Sequence, residues 1–326
     1  MKKSVGILLL GVVLAACSSG SGTSTSSPSD ATGGSKGNNN VALVLGVKGS
    51  PFYEAMACGA KAKAQELGLN LTVSAGPQFA ADAQIPVVNA VTASKPAVAV
   101  VVPTDASALQ QPLAALTKAG TALITVDQTL GDNSIVESEI LTDNLKGGQL
   151  AADEMNTLLS GKGKVLVITQ PPGSTAQDER TKGFEDQLQK YPGIDYLGPQ
   201  YQADDPQKAA QIVTSTIAAH PDLAGIFSTN DQGAIGALTG LKQAKGSGKL
   251  QLIAYDAASA EVAALKNGTI AALIAQNPKQ EGEIAMDTAK KLIDGDQVEP
   301  KILTDLVVVR KGDNANADKY EYKGDC

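Results

Sequence analysis

From Val41 onward, short continuous runs of β-branched and aliphatic residues alternate with longer stretches of helical pattern. The runs at 41–47, 69–74, 97–102 and 122–126 read as buried strands, with helices expected at 52–67, 82–94 and 107–119. A second series, 164–168, 195–197, 225–228 and 250–255, again has helical stretches between its members. Strands that are apolar throughout, rather than alternating, are those of a parallel sheet covered on both faces. Two such series predict an α/β fold of two doubly wound parallel-sheet lobes. Pro96, Pro103, Pro221 and Pro278 stand at the junctions, where a residue that breaks helix and ladder belongs.

The first residues follow a different pattern. Lys2 and Lys3 precede an apolar stretch that ends in Leu14-Ala15-Ala16-Cys17 and is too short to span a bilayer. This predicts a signal peptide over 1–17. Its ending resembles a bacterial lipobox, which implies lipidation of Cys17 and a mature chain held at the membrane on the extracytoplasmic side; an ordinary secretory signal is the alternative. Residues 18–40 are almost entirely Ser, Gly, Thr and Asn, and are expected to be a flexible tether with a typical reach of roughly 25–30 Å.

Composition narrows the chemistry. Lys and Arg number 27 against 34 Asp and Glu, a net charge of −7, with no dense basic run, so no nucleic-acid partner is expected. One histidine, His220, and three cysteines leave neither a zinc cluster nor His-based catalysis in view; no metal and no cofactor are expected. The segment Gly246-Ser247-Gly248-Lys249 lacks the spacing of a phosphate loop, and no Gly-x-Ser-x-Gly elbow occurs. These absences leave a carboxylate pair, which can hydrolyse a glycoside, as the enzymatic alternative.

Ligands of open parallel sheets bind beyond the carboxyl ends of the strands. The residues there include Ser50, Phe52 and Tyr53; Thr104 and Asp105; Asp127 and Gln128; Asn230 and Asp231; Asp256; and Gln276. Carboxylates and amides pair with hydroxyl groups, and aromatic faces cover C–H surface. Asp105 and Asp231 are read as caps of the following helices, His220 as a surface residue at a helix end, and Phe52 as either a ligand contact or a helix-start staple.

At this point the residues resemble the periplasmic ribose-binding protein family, the sugar-binding components of bacterial ABC importers. The likeness runs over about 41–309, through Gly49-Ser50-Pro51-Phe52-Tyr53, Pro103-Thr104-Asp105, Ile124-Thr125-Val126-Asp127 and Thr142-Asp143-Asn144 with Gly147-Gly148. It continues through Asp178-Glu179-Arg180 with Gly183-Phe184, Phe227-Ser228-Thr229-Asn230-Asp231, Ala254-Tyr255-Asp256 and Ile274-Ala275-Gln276. The resemblance implies a type I periplasmic binding protein with a three-segment hinge near Asp143, Gln276 and Asp305. The first lobe would hold 41–143 and 277–305, the second 144–276 and 306–310, with 311–326 as a polar tail. It implies that Asp127 and Arg180 bind sugar hydroxyls, that Asn230, Asp256 and Gln276 supply further polar contacts, and that Phe52 and Tyr53 sandwich the ligand. Ser50, Gln128 and Asp204 depart from that pattern, standing where ribose binders have Asn, a second Arg and a third aromatic. The expected ligand is therefore a small neutral polyhydroxy compound, a sugar alcohol or monosaccharide, passed to an ABC permease; a sensing subunit docking on a membrane receptor is the alternative. A monomer is expected.

Cys58 shares a helical line with Glu54, Lys61 and Gln65 and so leans toward the polar side. Its remaining candidate partner is Cys326. Relatives of actinobacterial appearance carry a similar pair, so the resemblance favours a Cys58–Cys326 disulfide; two unpaired thiols are the alternative.

Overall fold

The computed structural model describes residues 38–244, 250–324 and 326. The signal peptide, Cys17 and most of the expected tether lie outside the described residues. Residues 38–40 do not belong to a tether: Asn40 opens the first strand, and the Asn39 carbonyl accepts from the Asn70 N–H at 2.9 Å.

The chain begins with β1 (Asn40–Leu45), α1 (Pro51–Leu67), β2 (Asn70–Ala75), α2 (Ala81–Ser94), β3 (Val98–Val101), α3 (Gln110–Lys118), β4 (Ala122–Val126) and β5 (Ser138–Leu141). It continues with α4 (Asn144–Leu158), β6 (Gly163–Thr169), α5 (Thr175–Leu188), β7 (Ile194–Tyr201), α6 (Pro206–Ala219), β8 (Leu223–Ser228), α7 (Asp231–Gln243), β9 (Gln251–Tyr255), α8 (Ser259–Asn267) and β10 (Ala272–Gln276). Then come α9 (Pro278–Asp294), β11 (Lys301–Leu303), β12 (Leu306–Arg310) and α10 (Asn314–Tyr320).

Two six-stranded sheets result, ordered β2-β1-β3-β4-β5-β11 and β7-β6-β8-β9-β10-β12, and only the β10–β12 pairing is antiparallel. Four strands escaped the hydrophobic pattern. β11 and β12 are edge strands, β11 without a buried residue; β5, inside its sheet between β4 and β11, is only four residues long; β10 shows in the sequence only as a motif. β7 runs to Tyr201, past its expected end, because its half-exposed residues carry no apolar run.

Each half is built around one close helix pair. A Cβ on Gly59 would lie 2.1 Å from the Lys279 carbonyl oxygen, and one on Gly282 the same distance from that of Met56, so α1 and α9 touch backbone to backbone. In the second half, Gly148 and Gly183 do this for α4 and α5, with hypothetical Cβ contacts of 2.0 Å to Arg180 O and 2.1 Å to Leu145 O. The second pair seats Arg180.

The chain passes between the sheets three times, from β5 to α4, from β10 to α9, and from β11 to β12. At these passages Thr142 and Thr304 donate from their hydroxyls to Oε1 of the fully buried Glu281, at 3.1 and 3.2 Å. The tail is more than a polar extension. It carries α10 and a buried Tyr322, and it ends in a Cys58–Cys326 disulfide with Cα atoms 5.5 Å apart. Cys58 is buried rather than leaning outward, because the tail lies over it.

Candidate functional site

Both sheets point their carboxyl ends at one cavity. The ten residues singled out from the sequence, Ser50, Phe52, Tyr53, Asp127, Gln128, Arg180, Asp204, Asn230, Asp256 and Gln276, all line it. Phe79, Gln170, Gln177 and Asp231 line it as well and were not expected to.

The first half contributes an aromatic wall. Pro51 opens α1, which sets Phe52 and Tyr53 in its first turn, and the Ser50 hydroxyl makes no cap bond to that helix. The Phe52 and Tyr53 rings meet edge to face at 5.2 Å, and Phe79 stacks on Tyr53 with ring planes 11° apart. Phe79 thus supplies a third aromatic, from the loop after β2 rather than from the position of Asp204. Nothing in its polar surroundings marked it in the sequence.

Asp127 follows β4 with φ +62° and accepts from the Tyr53 hydroxyl at 2.9 Å. Burial pushes its carboxyl up to about 6; Arg180 and the Tyr53 hydrogen bond pull the other way, and Asp256 adds to the rise.

Arg180 is the cavity's single cation among the described lining residues, and it is 2% exposed. Its Nε donates to Asn144 Oδ1 at 2.8 Å, one terminal nitrogen donates to the Thr229 carbonyl at 2.8 Å, and the other to Gln276 Oε1 at 3.1 Å. The guanidinium lies 3.8 Å from the centre of the Tyr255 ring. Gln276 then donates to Asp256 Oδ1 at 2.6 Å, so one amide links guanidinium to carboxylate. Asp256, at φ +89°, also accepts from the Asp231 N–H and from the Tyr322 hydroxyl.

Asp204 faces the cavity from the loop after β7, and one of its oxygens takes both Gln170 and Asn230 amides, at 3.1 and 2.9 Å. Burial lifts this carboxyl to about 6 too, opposed by the Asn230 hydrogen bond and reinforced by the Asp256 charge. Asn230, besides lining the cavity, caps α7 by accepting from the Gly233 N–H. Asp231 is therefore not the cap it was read to be, and burial drives its carboxyl well above the usual range. Asp105 does not cap α3 either: it accepts from the Ser107 and Ala108 N–H groups in the turn ahead of that helix, whose N-cap position is Leu109.

Gln128 differs from its expected use. Its Oε1 accepts from the Ala176 N–H at 3.0 Å and from the Thr175 and Ser174 hydroxyls, all at the start of α5 in the other half. Thr129 N–H to Thr175 Oγ1 and Ala106 N–H to the Gly173 carbonyl continue this seam. The two halves are closed on one another along it.

Residues 41–297 match the model of the periplasmic binding protein domain. The chain belongs to the periplasmic binding protein family. It is 30% identical over 269 residues to the ribose import binding protein of Haemophilus influenzae, covering 82% of this chain and 90% of that one. Among solved structures, an ABC transporter solute-binding protein from Agrobacterium vitis bound with α-D-tagatopyranose is 34% identical, with a TM-score of 0.85 over 87% of this chain and 99% of that one. A carbohydrate transporter solute-binding protein from Agrobacterium radiobacter in complex with D-arabinose is 26% identical, with a TM-score of 0.82 over 86% and 98%. Among the described residues of this periplasmic binding protein, no helix is long and apolar enough to cross a membrane.

Proposed function

We propose that this protein captures a small neutral polyhydroxy compound, a sugar alcohol or monosaccharide, between its halves and delivers it to an ABC permease. The reading is supported most by one observation: Asp127 from one half and Asp256 from the other line a single cavity with Arg180 and the Phe52–Tyr53–Phe79 wall. Hydroxyls donate to the carboxylates and accept from the guanidinium, while aromatic faces take the C–H surface. Ser50, Gln128, Asp204, Asn230 and Gln276 complete the contacts. The relatives' named sugars, ribose, tagatose and arabinose, belong to the same chemical class.

The protein works without covalent chemistry, as a monomer. Its lipid anchor is Cys17, on the extracytoplasmic face of the membrane, and 18–37 are the leash.

The test is a thermal-shift screen over D-ribose, D-arabinose, D-tagatose, ribitol and xylitol, with a neutral amino acid and glucosamine as controls. A ligand at a hundred times its Kd adds about 2.7 kcal/mol of stability. A shift from at least one sugar or polyol and from neither control is expected. Stabilisation by the controls alone overturns the reading.

A further inference from the structure

We propose that the C-terminal tail is a fourth link between the halves, closed by the Cys58–Cys326 disulfide, and that it positions Asp256 through Tyr322. Resting on the binding reading above, it assigns the site a means of redox control.

After β12 the tail stays with the second half. Lys266 pairs with Asp318 at 2.6 Å, and the Tyr322 N–H donates to the Ala257 carbonyl at 3.0 Å. It then crosses to the first half, where Gly324 lies beside Glu54 and Cys326 is bonded to Cys58 on α1. The three other links are peptide chain, and only this one can be opened by reduction.

At the crossing, Tyr322 is 5% exposed and reaches the cavity wall of both halves. Its hydroxyl donates to Asp256 Oδ1 at 2.8 Å, and its ring meets the Phe52 ring at 5.7 Å, 74° from parallel. Phe52 and Asp256 both line the cavity. Tyr322 does not, so it acts on the ligand through them. With Gln276 holding the same Asp256 oxygen from the other side, Tyr322 leaves that carboxylate no free rotation.

The bridge borders an open groove with Lys279, Lys319 and Tyr320, and Cys326 is exposed, so a small thiol reaches the sulfur from outside. An external dithiol would break the S–S bond, leaving two protein thiols and a cyclic disulfide of the reductant. Tyr322 would then be held on Asp256 by its own contacts alone.

Two measurements on the full-length protein test this. Hydrogen exchange of the ligand-free protein, before and after dithiothreitol, should show the Tyr322 amide losing at least tenfold in protection. The Asp127 amide, bonded to the Ile140 carbonyl in the first half, should keep its own, and the Cys58→Ser/Cys326→Ser variant should match the reduced protein. Equal protection of Tyr322 in oxidised and reduced protein overturns the link. Tyr322→Phe keeps ring and disulfide and removes only the hydroxyl. It should retain tail protection yet bind the best sugar or polyol of the panel about tenfold more weakly, a loss that a purely structural tail contact does not produce. Unchanged affinity overturns the positioning role. Failure of every panel member to bind the unaltered protein overturns the reading on which that role rests, while the exchange measurement still decides the link.

Discussion

Asp127 and Asp256 are counterparts in the two halves. Each follows the fourth strand of its half, β4 or β9, with a positive φ, +62° and +89°. Each donates its N–H to the next strand, Asp127 to Ile140 O and Asp256 to Ile274 O, both at 2.9 Å. Each accepts a tyrosine hydroxyl, from Tyr53 and Tyr322 respectively. The same turn therefore aims one carboxylate into the cavity from either side. Positive φ in a non-glycine residue is a local cost, and it recurs at Asp204, φ +58°, the third aspartate of the cavity wall with this backbone.

Asparagine tolerates this backbone nearly as well as aspartate, whereas alanine does not. Asp127→Asn should therefore keep its stability and weaken ligand binding at least tenfold, about 1.4 kcal/mol. Asp127→Ala should lose the same affinity and also melt earlier, by about 1 kcal/mol. Titration calorimetry and melting curves separate the two effects; equal binding by Asp127→Asn and the unaltered protein contradicts the assignment.

The raised carboxyls set a pH dependence whose sign differs between folding and binding. Asp127 and Asp204 stand at about 6 in the folded chain, above the unfolded value of about 3.9. The folded state thus holds their protons more tightly. The stability they contribute is complete below about pH 4 and is lost as pH rises through 6. Binding runs the other way, since ionised carboxylates are the better hydroxyl acceptors, and affinity should climb between pH 5 and 7. Melting curves of Asp127→Asn and Asp204→Asn from pH 4 to 8 should show a flatter decline than the unaltered protein. A steeper one would invert the sign argued here.

Gln128 holds the halves together rather than only facing the ligand. Gln128→Ala removes the acceptor from the Ala176 N–H and from two hydroxyls. A net hydrogen bond is worth about 1 kcal/mol, so affinity should fall about fivefold. Small-angle scattering should find a larger radius of gyration for the ligand-free variant. Identical scattering would mean that the seam does not hold closure.

Glu281 is fully buried at the chain crossings, and its Oε2 has no hydrogen-bond partner. Burial, with the Asp127 charge adding, drives its carboxyl well above the usual range against the pull of the Thr142 and Thr304 hydroxyls. A group so shifted favours the fold at low pH, and that contribution is lost as pH rises from about 4.3 toward the folded value. Glu281→Gln, which cannot ionise, should match the unaltered protein at pH 4 and exceed its stability at pH 8. Chemical unfolding at the two pH values would show this, and a variant weaker at pH 8 would mean that the carboxylate form is the one the hinge needs.

The alternation of apolar runs and helical stretches was enough for the two parallel sheets, because strands buried on both faces must be apolar throughout. The cavity residues were legible for a related reason. A doubly wound sheet sends its ligands to the strand ends, so Asp127, Asn230, Asp256 and Gln276 could be picked by position, and the resemblance added Arg180 and Asp204. Edge strands such as β11 left no such trace, since half-exposed residues are free of the apolar constraint. What only the tertiary structure decided are the pairings between distant segments. Phe79 comes to stack on Tyr53, the Gln128 amide is spent on the start of α5, and Tyr322 is delivered from a polar tail to Asp256. No periodicity encodes these contacts: each depends on how two separately folded layers are set against one another, and a side chain's hydrogen-bond partner is known only once both ends are in place.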